Sequence, residues 1–255
     1  MMDDTGERDW TSRARICIDF GTALSKAAIC LDPMLPLEVG VKPLPIGAIS
    51  GAEHPLLTPS VIYVDDGRVY FGPQALEHAH RGVDTARDPL ISFKTVLGAT
   101  NVQEALQTKL RPSMDPTGTF KHRDALDLYI AYLDQLIRES LDLAPNMPRG
   151  IVNSKRRYTS PVWRPGSGID LAFEQIFNEA AAVSQHLSGQ FLLQGEGISI
   201  AQCKDALDRA ARTPGNGMLE TGIFEPHAAA AAALAFTSQP TRFVLVLDIG
   251  AGTND

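Results

Sequence analysis

Cysteine is scarce in this chain. Its three cysteines, Cys17, Cys30 and Cys203, lie far apart without paired spacing. That excludes a disulfide framework and a zinc knuckle, and it points to a reducing compartment. Long apolar runs are missing too. None approaches the roughly 20 residues that span a bilayer, and the polar first stretch, MMDDTGERDWTSRAR, lacks the apolar core of a signal peptide. Positive charge is in deficit, with 23 Lys and Arg against 30 Asp and Glu and a formal net charge of −7. Such a balance argues against general attraction to nucleic acid or to an anionic membrane, although one local phosphate site stays compatible with it. The expectation is a cytoplasmic protein with no nucleic-acid or membrane partner. There is no fixed-period repeat, no Ser-His-Asp motif, no G-x-x-x-x-G-K-[ST] phosphate loop and no G-x-G-x-x-G opening a helix.

What is present is a mixture of hairpin, helix and strand signals in 255 residues, of which 44% are hydrophobic. This is enough for a substantial core. ARICIDFGTALSKAAICL reads as a β-hairpin, with Cys17 and Cys30 packed in its two arms. Residues 32–59 are rich in proline and read as loop with short extended pieces. SVIYV and RVYFG flank DDG, a hairpin signal. Helical pattern begins near Pro73 and again near Pro89. The clearest helix covers residues 122–143, with Leu126, Tyr129, Ile130, Leu133, Leu136, Ile137 and Leu141 on one face. RRYTSPVW predicts a strand ending at Pro161, and Lys155-Arg156-Arg157 within it reads as a solvated edge. Three further helices are predicted: IDLAFEQIFNEAAAVSQHL, a segment started by Ser199, and EPHAAAAAALAF, with Pro226 at the favoured first helical position. His78 and His80 are two residues apart, a spacing that does not share a helix face. The order predicts an α/β or α+β architecture.

Two stretches share a design. ICIDFGT and LVLDIGAGT each end an apolar strand in an Asp and follow it with a Gly-Thr pair. The strand fixes the carboxylate, glycines bring backbone N–H groups close to an anion, and the threonine adds a hydroxyl donor. A carboxylate repels phosphate but holds Mg²⁺, often through water, and Mg²⁺ bridges phosphates. Two such turns facing each other would clamp a polyphosphate.

The ordered set of motifs resembles the ATPase superfamily of actin, sugar kinases and heat-shock chaperones, and within it the seventy-kilodalton (DnaK-like) chaperones. IDFGTALSKAAI resembles the first phosphate loop and LDIGAGTND the second. FEPHAAAAAALAF is similar to the segment before the second loop, and LISFKTVLGA to the segment that carries a catalytic lysine. LLTPSVIYV, VYFGPQALEHA and YTSPVW resemble further chaperone pieces in the same order. The resemblance implies a ribonuclease-H-like, actin-like ATPase lobe over residues 14–240, a mixed sheet flanked by helices. It further implies a small inserted subdomain at about 54–120, a disordered stretch at 1–13, and the first strand and phosphate loop of a truncated second lobe at 241–255.

The implied ligands are ATP or ADP and Mg²⁺. Asp19 and Asp248 would be the metal-side carboxylates, acting through water. Gly21 and Thr22 in the first loop, and Gly250, Gly252 and Thr253 in the second, would cradle phosphates. Lys94 would stabilise charge on the γ-phosphate, Glu225 and Asp255 would position water or nucleophile, and Pro161 would be a switch proline. The implied partners are client proteins, reached through a C-terminal module absent from this sequence, and co-chaperones. Departures are also visible. Ala23 stands where the family carries a second hydroxyl and Thr95 where it often has Arg. The stretch from SPVW to FEPH is long enough for an additional helix at 199–211. The expectation for the 255 residues themselves is weak or absent hydrolysis. The rival expectations are an actin-like filament ATPase and a nucleotide-binding pseudoenzyme.

Overall fold

The computed structural model describes residues 10–65, 67–81, 87–162, 168–191, 196–213 and 219–235. The chain starts with α1 (Trp10–Arg13), β1 (Arg15–Phe20) and β2 (Leu24–Cys30). The proline-rich stretch then supplies α2 (Leu37–Gly40), β3 (Val41–Leu44), α3 (Ile46–Ser50) and β4 (Thr58–Pro59). Next come β5 (Val61–Val64), β6 (Arg68–Phe71), α4 (Gly72–Arg81), β7 (Leu90–Ile91) and α5 (Val102–Gln107). The rest is α6 (His122–Asp142), β8 (Lys155–Ser160), α7 (Ile169–His186), β9 (Ile198–Ser199), α8 (Ile200–Ala210), β10 (Ile223–Phe224) and α9 (Glu225–Ala235). None of the described helices is long and apolar enough to cross a membrane.

Two sheets organise these elements. The central one runs β10-β8-β1-β2-β3, with β4 paired to β2 off that path, and the second runs β7-β5-β6-β9. β1, β8 and β10 are parallel, whereas β2 is antiparallel to β1, β3 and β4. The chain is therefore α/β, a mixed sheet flanked by helices. Strand alternation makes the core: Ile16, Ile18 and Phe20 of β1 and Tyr158 of β8 are buried. Tyr158 stacks on Phe177 of α7 at 4.5 Å between centroids and meets Phe173 edge-on at 5.0 Å.

The same alternation corrects two expectations. Cys17 lies on the opposite face from Ile16 and Ile18 and is exposed rather than packed. Arg156 is buried, not a solvated edge, because β8 sits between β1 and β10 and turns this residue towards the helices. Its guanidinium meets Asp134 of α6 at 2.9 Å, and Asp134 also takes Arg138 at 2.7 Å and the Ser184 hydroxyl at 2.7 Å.

Helix α6 follows the predicted span closely. It is buried almost all round from Ala125 to Ile137, where the sequence showed one apolar face, because α7 covers it on one side and α3, α5 and both sheets on others. The segment after Pro89 differs from its prediction. It forms the two-residue β7 and then a 3-10 turn, Phe93–Gly98, before α5 begins. Ser92, at φ 53° and ψ 23°, makes the turn-in that a helix starting at Pro89 would not contain. The additional helix is α8, and its Ser199 cap accepts from the Gln202 N–H in a capping box.

Candidate functional site

Three parallel strands end level with one another. The register sets Ile18 beside Tyr158 and Ser160 beside Phe224, so Phe20, Ser160 and Phe224 close the same edge of the sheet. The residues that follow are Gly21, Pro161 and Glu225. In open α/β sheets this carboxyl edge is where ligands bind, since connecting loops diverge there and leave a crevice.

Six of the sequence-predicted residues are gathered at this edge. Asp19 lies one residue before the end of β1. Its Oδ1 accepts from the Thr159 hydroxyl at 2.9 Å, and its Oδ2 meets the Lys26 ammonium at 3.1 Å. The carboxylate stays about one-third exposed, so water can reach it. Gly21 and Thr22 form the turn between β1 and β2. A Cβ on Gly21 would stand 2.1 Å from the Leu24 carbonyl oxygen, so only glycine closes this turn. Ser60 supports it from below, its hydroxyl donating to the Gly21 carbonyl at 2.8 Å and its N–H to the Ala23 carbonyl. Beneath Ser60, Tyr129 of α6 donates to the Pro59 carbonyl at 2.8 Å.

Lys94 is the most informative residue. The 3-10 turn carries it inward from a distant part of the sequence, and its side chain is only 6% exposed. The ammonium donates to the Phe20 carbonyl at 2.6 Å and to Glu225 Oε1 at 2.7 Å. It also lies 5.5 Å from the centre of the Phe20 ring, within cation–π reach. Leaving an ammonium this deep is costly without partners, and the two acceptors are the last residue of β1 and the residue that follows β10. Glu225 is the first residue of α9, where a carboxylate also faces the positive end of the helix dipole. Pro161 is buried at the same edge.

The remaining predicted residues, Asp248, Gly250, Gly252, Thr253 and Asp255, lie outside the described residues. The histidines sit elsewhere: His78 stacks on Tyr70 at 3.7 Å, and the His80 ring is 2.7 Å from the Leu76 carbonyl. Sequence reasoning missed Lys26, Ser60 and Thr159 as parts of the site. Lys26 and Thr159 each sit one strand over from Asp19 in register, so strand pairing is the signal that finds them. Compared with protein-family models and with curated proteins, the chain matches none.

Chemically, the edge offers an accessible carboxylate, an acceptor–ammonium pair and a tight glycine turn.

Proposed function

We propose that the chain is the first lobe, with the start of the second, of a DnaK-like ATPase that binds Mg-ATP and couples hydrolysis to the binding of a client protein. One observation carries the reading. Lys94, far from the hairpin in sequence, has its buried ammonium held at the ends of β1 and β10 by Phe20 and Glu225, beside the Asp19–Gly21 turn that resembles a phosphate loop.

In this reading Gly21 and Thr22 present backbone N–H groups and a hydroxyl to the phosphates. Lys94 stabilises the charge that develops on the transferred phosphoryl group. Glu225 orients Lys94 and accepts from the attacking water. Asp19 would hold a hydrated Mg²⁺ through water, because Thr159 orients one carboxylate oxygen and the group is about one-third exposed; the exposed Lys26 ammonium, now on the other oxygen, would have to give way to it; Asp248 would be its counterpart. Bound Mg²⁺ supplies neutralisation of phosphate charge. Client proteins and co-chaperones belong to the same proposal.

Calorimetric titration of the 255-residue chain with ATP, with and without Mg²⁺, tests it. Saturable binding that needs Mg²⁺ is expected, weakened roughly tenfold or more by Asp19→Asn. No heat at millimolar ATP would sink the reading. In any form of the protein that turns ATP over, Lys94→Ala removes hydrolysis, by about two to three orders of magnitude, and leaves binding nearly intact. Equal losses of both would make Lys94 a structural residue.

A further inference from the structure

Ser60 sits at a junction. It follows β4, which pairs with β2 of the central sheet, and precedes β5 of the second sheet. The residue is 1% exposed, and Ser25 and Tyr129 beside it are at 0%. From there it holds the β1–β2 turn at two points. Its hydroxyl donates to the Gly21 carbonyl at 2.8 Å and its N–H to the Ala23 carbonyl at 2.8 Å. These two carbonyls bracket Thr22.

The hydroxyl protons have one good arrangement. The Gly21 carbonyl has no proton, so Ser60 donates to it. Ser60 Oγ is then an acceptor for Ser25 Oγ, 2.9 Å away. The Tyr129 hydroxyl gives its proton to the Pro59 carbonyl at 2.8 Å and lies 3.4 Å from both serine oxygens. Such a chain polarises its members. Turning the Gly21 carbonyl outward would strand a buried hydroxyl proton, which is unfavourable where water cannot replace the partner. Packing alone gives no reason for three hydroxyls at this point, since each is costly to bury unless paired.

The consequence concerns charge. A carbonyl oxygen carries partial negative charge and repels an anion that it faces. Both carbonyls point towards a buried serine, so an anion seated on the turn faces neither oxygen. Glycine at position 21 permits the turn, and Ser60 decides which way its carbonyls face. We propose that Ser60 is a positioning residue for anion binding at the β1–β2 turn, which it fits to the oxygens of a polyphosphate by drawing the Gly21 and Ala23 carbonyls into the core. The ligand rests on the nucleotide reading given above; the geometry does not.

Two measurements on the full chain test this, one without nucleotide and one with it. In protein labelled with ¹³C at glycine carbonyls and ¹⁵N at threonine, only Gly-Thr peptides give a one-bond carbonyl–nitrogen correlation, and Gly21-Thr22 is one of three such pairs. Its signal is assigned by its displacement in Thr22→Ser. In Ser60→Ala the Gly21 carbonyl signal moves upfield, as a carbonyl that loses a donor does, and calorimetry shows the dissociation constant for Mg-ATP rising about tenfold. Ser199→Ala, which weakens the distant α8 cap, changes neither readout. Where Ser60→Ala loses the circular dichroism of the fold, Ser60→Cys takes its place, because it keeps the side-chain size and exchanges a strong donor for a weak one. An unmoved Gly21 signal overturns the proposal, as does a moved signal with unchanged Mg-ATP affinity, which makes Ser60 a structural residue only. A parent chain that gives no heat with Mg-ATP sinks the nucleotide reading and takes this ligand with it, whereas a parent and a Ser60 variant that bind equally well sink the proposal alone.

Discussion

At the scale of single residues, Gly21 and Asp127 make opposite points. Gly21 has no room for a methyl group, because its neighbour is a backbone carbonyl that cannot rotate away. Gly21→Ala is expected to open the β1–β2 turn and cost about 1–3 kcal/mol in urea denaturation; on the proposed reading it also abolishes Mg-ATP binding. Asp127 is instead a burden on the fold. It is buried in α6, with Oδ2 at 3.6 Å from Arg123 and Oδ1 without a hydrogen-bond partner. Burial pushes its carboxyl well above the ordinary range, and Glu179 and Asp124 add to the effect while Arg123 opposes it. The folded state therefore binds a proton that the unfolded chain releases near pH 4. Stability contributed by the protonated acid is full below that pH and is lost as pH rises towards the raised folded value, by at most about 1.4 kcal/mol per pH unit. Asp127→Asn should match the parent near pH 4 and become progressively more stable than it at higher pH. A constant difference across denaturation curves from pH 4 to pH 8 would refute this assignment, the range being chosen around the ordinary aspartate pKa of about 3.9.

At the scale of elements, α6 and α7 are tied to the sheet by one charged cluster and by aromatic packing. Burial alone would raise the Asp134 carboxyl, but Arg156 and Arg138 outweigh it and hold the group below its ordinary value. Its contribution is thus present at neutral pH and is lost as pH falls through the depressed value. Arg156→Ala leaves that carboxylate without its strand partner and should cost about 3–5 kcal/mol, whereas replacing both, Arg156→Met with Asp134→Leu, should cost much less. Equal losses in the single and double variants would show that the cluster is not coupled. The start of α8 is a smaller case. Removing its cap by Ser199→Ala should cost about 1 kcal/mol and fray that helix, which hydrogen exchange at the first-turn amides would report.

At the scale of the whole molecule, both sheets share one core. Ile16 and Ile29 of the central sheet, Ile62, Val69 and Ile198 of the second, and α6 between them belong to a single buried cluster. The described region is accordingly expected to unfold in one transition, with far-ultraviolet and tyrosine near-ultraviolet circular dichroism coincident. Two separated transitions would show that the second sheet folds independently.

Much of the architecture was legible along the chain, and the reasons are local. The alternation of Ile16 and Ile18 marked β1, the DDG turn between two apolar runs marked β5 and β6, the 3.6-residue pattern marked α6 and α7, and Ser199 marked the start of α8. These signals depend on neighbours within a few residues, which the sequence displays directly. The candidate site was legible only in part. The Asp-Gly-Thr turn, Lys94 and Glu225 stood out as motifs, but nothing in their spacing brought the lysine to Phe20 and Glu225. That meeting depends on Ser92 turning the chain inward and on β10 pairing with β8, both of which close long loops. The same holds for Arg156 and Cys17. Their residue types suggested a surface and a core position respectively, and the opposite was found. Alternation alone fixed that they differ in face; the side on which α6 and α7 packed decided which face became the interior. The sequence by itself determined the elements, the glycine turn and the acidic balance, because propensity and charge are properties of short segments. Only the tertiary structure decided which lysine meets which glutamate and which face of the sheet α6 and α7 cover, because those outcomes come from strand order and from packing between residues far apart in the chain.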